Sequence, residues 1–293
     1  MLIGTHNVNG IRATLNRGWA QWLADRGLDV LALQEVRCRA ADLPAGAFGD
    51  YVATLDLGTL AGRNGVALLT RKPPLRVRTF SGTALQIIDN THSQIEADQI
   101  ASKELKPYAD EGRYIEIDLA DQPLRVASLY LPKGASWPAD GDAAKPKYDR
   151  KMAFLAGFAK LLTKTRREAA AEGRDFLVMG DFNIANTRQD LRNWRGNQKS
   201  EGFLPEEREW FTSILGDRTL HDVVRRLHPE AEGPYSWWSW RGQAFVNDTG
   251  WRIDYHLASP DLASRATEAV VDREDSYEAR LSDHAPVIVR YAS

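Results

Sequence analysis

Cysteine is almost absent: Cys38 stands alone among 293 residues. One thiol cannot form a disulfide within the chain, nor can it build a cysteine-rich zinc site. That usage fits a reducing compartment. Neither charge is in excess, with 38 Lys and Arg against 40 Asp and Glu and a formal net charge of −2. Global charge therefore cannot drive binding to nucleic acid or to a membrane surface. Any such contact needs a local basic face or a bridging metal ion. No apolar run approaches the ~20 residues that span a bilayer. The first residues, Met1-Leu2-Ile3-Gly4-Thr5-His6, carry neither the basic start nor the long apolar stretch of a secretory signal. A cytoplasmic location with no membrane partner is expected. Low-complexity linkers are missing, as are repeats with periods of about 20–50 residues.

What is there is an alternation of short apolar runs with helical patterns. Hydrophobic residues make up 43% of the chain, enough to bury a sizeable core. Leu2–Asn7 reads as a first strand. Trp19, Trp22 and Leu23 lie at helical spacing, and Gly27 follows as a C-cap. Asp29–Glu35 is nearly continuous apolar sequence with a polar end. That is the pattern of a buried central strand delivering Glu35 to a surface. Val66–Thr70, Arg113–Asp118 and Leu124–Leu131 read as further strands. A helix is predicted over Lys147–Glu172, with Met152, Leu155, Phe158, Ala159 and Leu162 on one face and Gly173 closing it. Phe176–Gly180 is another buried-strand run, ending in Asp181-Phe182-Asn183. Pro205–Leu215 reads as a helix, with Glu206, Glu207 and Glu209 in its early turns, where negative charge suits the dipole. Late strands are expected at Tyr235–Trp240, Arg252–Ala258, Ala269–Asp272 and Val287–Tyr291. The simplest account is one α/β domain over residues 1–293, its sheets covered by helices.

The informative fact is where acidic and amide residues fall. Asn7, Glu35, Asp181 with Asn183, Asp254, and Asp283 with His284 each end or flank an apolar run. Taken singly, each has an ordinary explanation as a turn residue. Together they place oxygen ligands from distant segments where strand ends can converge. Oxygen donors without cysteine suit a hard cation such as Mg²⁺, with Mn²⁺ as a substitute. Such a site, with open positions for water and phosphate oxygens, suits phosphoryl chemistry.

Seven segments then carry a resemblance. They are Asn7-Val8-Asn9-Gly10-Ile11-Arg12, Leu33-Gln34-Glu35, Tyr130-Leu131-Pro132-Lys133-Gly134, Gly180-Asp181-Phe182-Asn183, Asp190-Leu191-Arg192-Asn193-Trp194-Arg195-Gly196-Asn197, Gly250-Trp251-Arg252-Ile253-Asp254-Tyr255 and Ser282-Asp283-His284-Ala285-Pro286. In order and spacing the chain resembles the exonuclease III family of abasic-site (AP) endonucleases, within the endonuclease/exonuclease/phosphatase superfamily. The match runs from Asn7 to Pro286. The Gly-Asp-Phe-Asn and Ser-Asp-His motifs belong to the whole superfamily. The Asn-Trp-Arg-Gly-Asn loop and the Gly-Trp-Arg-Ile-Asp-Tyr segment are specific to its DNA-repair branch. The resemblance implies a DNase I-like, four-layered α/β sandwich of two packed mixed sheets flanked by helices. It also implies a Mg²⁺-dependent hydrolase that cuts duplex DNA 5′ to abasic sites, with 3′→5′ exonuclease and 3′-phosphatase or phosphodiesterase action on blocked 3′ ends.

The same resemblance implies roles. Glu35, helped by Asn7 and Asp283, holds the metal near the scissile phosphate, with Asp181 and Asn183 beside it. Asp181 orients or deprotonates the attacking water, or ligates the metal, and Asn183 hydrogen-bonds the phosphate. Asp254 fixes His284, which acts either as a cationic donor or as a neutral base. The Tyr130 phenol donates to the phosphate. Trp237 and Trp251 wall a pocket for an extrahelical abasic sugar, a lesion that costs less to extrude than a stacked nucleotide. Arg63 and Arg241 lie where the family inserts residues into the duplex, and Asn197 contacts the flipped nucleotide's phosphate. Two basic runs offer backbone contacts: Arg188, Arg192, Arg195 and Lys199, and Lys145, Lys147, Arg150 and Lys151. The other histidines, His6, His92, His221, His228 and His256, read as structural.

The chain departs from the family at His6, Asn9, Arg63 and Ser200, where a tryptophan, an aspartate, an aromatic and an asparagine are common. These positions bear on substrate preference. Two other readings compete. One is a phosphomonoesterase for inositol phosphates or lipid headgroups, which would lack the repair-branch loops. The other is a non-catalytic DNA-binding module, against which the intact set Glu35, Asp181, Asn183, Asp254, Asp283 and His284 argues. No coiled-coil seam advertises a dimer, so a monomer is expected.

Overall fold

The computed structural model describes residues 1–60 and 62–292. Ala61 and Ser293, part of the expected 1–293 span, lie outside the described residues. Two mixed sheets form the centre. The first runs in spatial order β14 (Ala266–Val271), β15 (Val287–Tyr291), β1 (Leu2–Asn7), β2 (Val30–Gln34), β4 (Val66–Thr70), β3 (Val52–Asp56), β6 (Thr83–Ile88) and β7 (Thr91–Glu96). The second runs β12 (His221–Asp222), β13 (Asp254–Ala258), β11 (Asp175–Asp181), β10 (Leu124–Tyr130), β9 (Tyr114–Asp118), β5 (Arg76–Thr79) and β8 (Asp98–Gln99).

Side chains alternate across each strand, and both faces are buried, which is why the central strands read as unbroken apolar runs. Ile3, Val30, Ala32, Val126, Leu177 and Met179 meet between the sheets. On the outer face of the second sheet, Ala127, Leu129 and Val178 pack under Phe154, Phe158 and Leu161 of the helix Lys145–Ala171. On the outer face of the first, Leu31 and Leu33 pack under Trp19 and Leu23 of the helix Trp19–Arg26. The result is four layers: helix, sheet, sheet, helix. Among the described residues no helix is long and apolar enough to cross a membrane.

Polar contacts cross the apolar layer between the sheets. Ser128 donates to the Leu33 carbonyl at 2.9 Å, and Gln34 donates to Ser128 at 3.0 Å. His256 on β13 reaches β15, with Nε2 3.2 Å from the Val287 carbonyl and Nδ1 3.3 Å from the Tyr291 hydroxyl. A carbonyl only accepts, so Nε2 carries the proton and Nδ1 receives the phenol's.

Most expected elements form close to their expected bounds. Tyr235–Trp240 does not become a strand. Trp237 makes single antiparallel bridges to Trp251 and His284, and no ladder extends from them. The segment is an extended loop wedged between two others. The strands β3, β5, β6, β7, β8 and β12 are not among the expected ones. The β6–β7 hairpin turns through Asp89 and Asn90, both left-handed at φ +49° and +61°, as a two-residue type I′ turn requires. Its exposed polar β7 carries no hydrophobic alternation to reveal it.

Burial pushes the His256 pKa down from its ordinary value to about 4, while the Val287 carbonyl partly opposes that. The unfolded chain therefore binds this proton first as pH falls. Stability from the neutral imidazole is present above about pH 6.5 and is lost on acidification toward pH 4. His256 alone is expected to lower stability to denaturant as pH falls between those limits. His256→Asn should flatten the slope by up to about 1.4 kcal/mol per pH unit, one proton's worth. An unchanged slope would remove His256 from the acid response.

Candidate active site

Strand direction builds the site. β1 runs parallel to β2, and β10 runs parallel to β11, while β15 and β13 run antiparallel beside them. The ends of the first four and the starts of the last two therefore share one rim. Asn7, Glu35, Tyr130, Asp181, Asp254 and His284 all sit there. Gly180 has φ +137°, and a Cβ on it would lie 2.1 Å from the Leu129 carbonyl oxygen. Only glycine lets β11 approach β10 so closely just before Asp181. Beyond the strands, Glu35 and Asn183 are left-handed at φ +53° and +48°. Each costs about 1 kcal/mol or more and turns the chain sharply as it leaves its sheet. Asn183 N–H donates to Asp181 Oδ1 at 2.8 Å, and Gly10 N–H donates to the Glu35 carbonyl at 2.8 Å, fixing both turns.

Hydrogen bonds join the two sheets at this rim. Asn7 Nδ2 donates to Glu35 Oε1 at 2.9 Å and to Asp181 Oδ2 at 2.9 Å. Asn183 Nδ2 donates to the Leu131 carbonyl at 2.9 Å. His284 Nδ1 lies 2.9 Å from Asp254 Oδ2, and its Nε2 faces Asp181 Oδ2 at 3.8 Å. Glu35, Asp181 and His284 each bring a ligand atom within 4.8 Å of the others. Asp283 lies outside that cluster and accepts from Asn9 Nδ2 at 2.8 Å and Trp237 Nε1 at 3.1 Å.

Burial dictates the charges. It works against the His284 cation, yet Asp254, Asp181 and Asp283 outweigh it and push the imidazole pKa well up. That direction favours the imidazolium, held against Asp254. Burial raises the Asp181 carboxyl, and Asp254 and Glu35 add to this against the pull of His284. Asp283 is held below its usual range, because His284, Trp237 and Asn9 outweigh its burial. Burial, then Glu35 and Asp181, push the Tyr130 phenol far up, so it keeps its proton as a donor. Carboxylate oxygens dominate the cluster, and His284 is committed to Asp254. This donor chemistry fits a hard divalent cation held chiefly by Glu35.

A cavity of about 560 Å³ opens over these groups. Trp237 and Trp251 form its wall, edge to face at 83° with centroids 6.3 Å apart. Asn197 and Ser200 line it from the basic loop. Arg63, Lys147, Arg195 and Arg241 stay outside it, exposed on surrounding loops and on the first turn of the helix Lys145–Ala171. Arg188 and Arg195 lie over the Trp194 ring at 4.4 and 4.6 Å, and neither has a carboxylate partner among the described residues. The second basic run does not hold as a surface cluster. Lys151 is fully buried against Glu207, Lys145 pairs with Asp149, and Arg150 pairs with Glu111.

Three site residues escaped the sequence reading as participants. Ser236 donates to Asp254 Oδ2 at 2.6 Å, the same oxygen that meets His284 Nδ1. Arg37 contacts both Glu35 and Asn9. Asn9, noted only as a departure, links Arg37 to Asp283. The motif spacing could have pointed to Asn9 and Arg37, each two residues from a ligand candidate. Nothing marks Ser236.

Comparison with known proteins places this geometry. Residues 4–284 match the Endonuclease/Exonuclease/phosphatase family. The chain is 30% identical to the DNA repair nuclease APEX1 of Danio rerio over 98% of its own length and 81% of that protein's. It is 27% identical to an exodeoxyribonuclease of Bacillus subtilis, covering 96% and 95% of the two chains. An AP endonuclease from Archaeoglobus fulgidus superposes with a TM-score of 0.79 at 26% identity, over the full length of both. A variant of the Neisseria 3′ phosphatase NExo, bound to a product DNA hairpin, superposes with a TM-score of 0.80 at 27% identity over the same extent. The chain belongs to the endonuclease/exonuclease/phosphatase family, among the hydrolytic nucleases of its exonuclease III type.

Proposed function

We propose that this enzyme is a Mg²⁺-dependent repair nuclease that cuts the phosphodiester 5′ to an abasic site in duplex DNA. We assign the trimming of blocked 3′ ends, as 3′→5′ exonuclease and 3′-phosphatase or phosphodiesterase, to the same site. The observation that carries this reading is the meeting of Glu35, Asp181 and His284 beneath a slot walled by two tryptophans. The likeness to the Neisseria 3′ phosphatase supports the second activity. The reading treats residues 1–293 as one catalytic domain, acting as a monomer in the cytoplasm.

Each side chain has a task set by its surroundings. Asp181, with its raised pKa, holds the attacking water and takes its proton. The His284 imidazolium, fixed by Asp254, directs Nε2–H at a phosphate oxygen and stabilises the charge that develops there. Tyr130 donates to the same group, and Asn183 does so by giving up its long 3.3 Å bond to Asp181 Oδ2. Mg²⁺, or Mn²⁺ in its place, held by Glu35 with Asn7 and Asp283 alongside, would supply charge neutralisation for the phosphate and the leaving oxygen. Trp237 and Trp251 leave room for a sugar lacking its base. Lys147, Arg188 and Arg195 contact the flanking duplex, Arg63 and Arg241 insert into it, and Asn197, in the cavity wall, contacts the flipped nucleotide's phosphate.

Asp181→Asn and His284→Ala are each expected to slow incision of an abasic duplex on the order of 10²–10⁴-fold. Wild-type rates for Asp181→Asn would refute its role. Glu35→Gln should weaken Mg²⁺ binding, measured calorimetrically without DNA, by more than about tenfold. An unchanged affinity would move the metal elsewhere. Replacing Arg188 and Arg195 together by Ala should make the log–log salt dependence of DNA binding shallower by about 0.9 for each phosphate that is no longer neutralised. Parallel salt plots would exclude those two arginines from the interface.

A further inference from the structure

Lys151 has no exposed surface, although it sits in a basic stretch. Three acceptor oxygens surround its ammonium: Glu207 Oε1 at 2.7 Å, the Asn183 carbonyl at 3.0 Å and the Lys133 carbonyl at 3.1 Å. An ammonium has three N–H groups to offer, so its surroundings match its capacity. Glu207 is equally buried. Its other oxygen accepts from the Gly202 N–H at 2.7 Å and the Leu204 N–H at 3.1 Å. One ion pair therefore grips three separate stretches of backbone. Each of them supplies a residue to the cleft: Lys133, Asn183 and Gly202.

The fit around the pair is tight. A Cβ on Gly134 would lie 2.6 Å from Lys151 Cδ, and one on Gly202 would lie 3.0 Å from the Asn183 carbonyl oxygen. Removing two charges from water costs more than an apolar pair of the same volume would, so helix packing alone does not explain the pair. An apolar pair could not hold two carbonyls and two N–H groups at fixed places. The Asn183 peptide is where this matters most. Its left-handed backbone and its Nδ2, aimed at Leu131 and Asp181, leave little freedom once the carbonyl is held.

We infer that Lys151 and Glu207 are positioning residues. The pair fixes the Asn183 peptide and the loops at 133–134 and 202–204, so that the Asn183 amide meets the reacting phosphate correctly. This rests on the nuclease reading above. Neither residue touches the substrate.

The test compares Lys151→Met, Glu207→Met, the double variant Lys151→Met/Glu207→Met and Glu207→Gln. Thermal unfolding, incision kinetics on an abasic duplex with Mg²⁺, and the ¹⁵N–¹H resonances of the Asn183 side chain in metal-free protein are measured. Those resonances are assigned by their loss in Asn183→Asp. The single Met variants should lose stability, because each strands a buried charge, and the double should regain most of it. In the double, kcat should stay down by about 100-fold while KM moves less than about threefold, and the Asn183 resonances should shift. Glu207→Gln keeps an acceptor for Gly202 and Leu204, so it should turn over faster than Glu207→Met at similar stability. A double variant with wild-type kcat overturns the proposal, as do unmoved Asn183 resonances. If the double does not fold, equal kcat in Glu207→Gln and Glu207→Met overturns it. If wild type leaves abasic duplexes uncut while the resonances shift in the double, the positioning stands and the substrate assignment falls.

Discussion

One side-chain amide ties the molecule's two halves together at the rim. Asn7 Nδ2 has two protons and gives one to Glu35 and one to Asp181, each at 2.9 Å. Glu35 follows a strand of the first sheet, and Asp181 ends a strand of the second. Two buried carboxylates brought this close repel each other unless donors or cations lie between them. The amide supplies donors without adding charge, so the carboxylates stay near each other, while Arg37 meets the other Glu35 oxygen and the Asn183 N–H meets Asp181 Oδ1. It also fixes the relative height of the two sheets where chemistry would occur. A slip of either sheet along its strand axis would break one of these bonds.

The repair loop and the tryptophan slot are held together in a comparable way. Asp190 is fully buried and accepts from Arg252 Nε at 2.7 Å and Arg225 Nη2 at 2.6 Å. Leu191 bridges to Trp251, and the Arg252 N–H donates to the Asp190 carbonyl at 2.8 Å. The start of the basic loop is thus clamped to the segment that leads from Trp251 into β13. A duplex gripped by Arg188 and Arg195 would be registered against the slot by rigid backbone. Trp194 adds to this by providing a ring for both guanidiniums, each within cation–π range.

What could be read from the sequence follows from which physical terms are local. Strands buried on both faces leave long apolar runs, so β1, β2, β10 and β11 and the polar residues at their ends were legible. Period and caps gave the helices Trp19–Arg26, Lys145–Ala171 and Pro205–Ile214 to within about two residues. The β6–β7 hairpin was not legible, because a polar edge strand has no pattern beyond its turn. Trp237 looked like strand because its neighbours are aromatic, but its backbone partners come from two distant segments that no local pattern records. Lys151 looked like a surface charge because its neutralising partner, Glu207, lies 56 residues away. Motif resemblance pointed to the candidate site, and local pattern could not have supplied Ser236, whereas Arg37 lies only two residues from Glu35.

On the proposed reading, charge at the rim gives a physical reason for a nearly neutral chain to work with a cation. Glu35, Asp181, Asp254 and Asp283 surround a single imidazolium, and Arg37 is the guanidinium that reaches Glu35. Carboxylates outnumber cations there, so an approaching phosphate meets net repulsion at the point where it must bind. The arginines that could attract DNA stand outside the cleft. On the proposed reading, the exposed arginines bring the duplex to the surface, and the divalent ion reverses the sign of the field at the scissile group. Removing Glu35 would lessen the repulsion, yet it would also remove the ligand that makes the reversal possible. On that reading the negative cleft is part of the mechanism, because the sign of the field at the phosphate then depends on the bound cation.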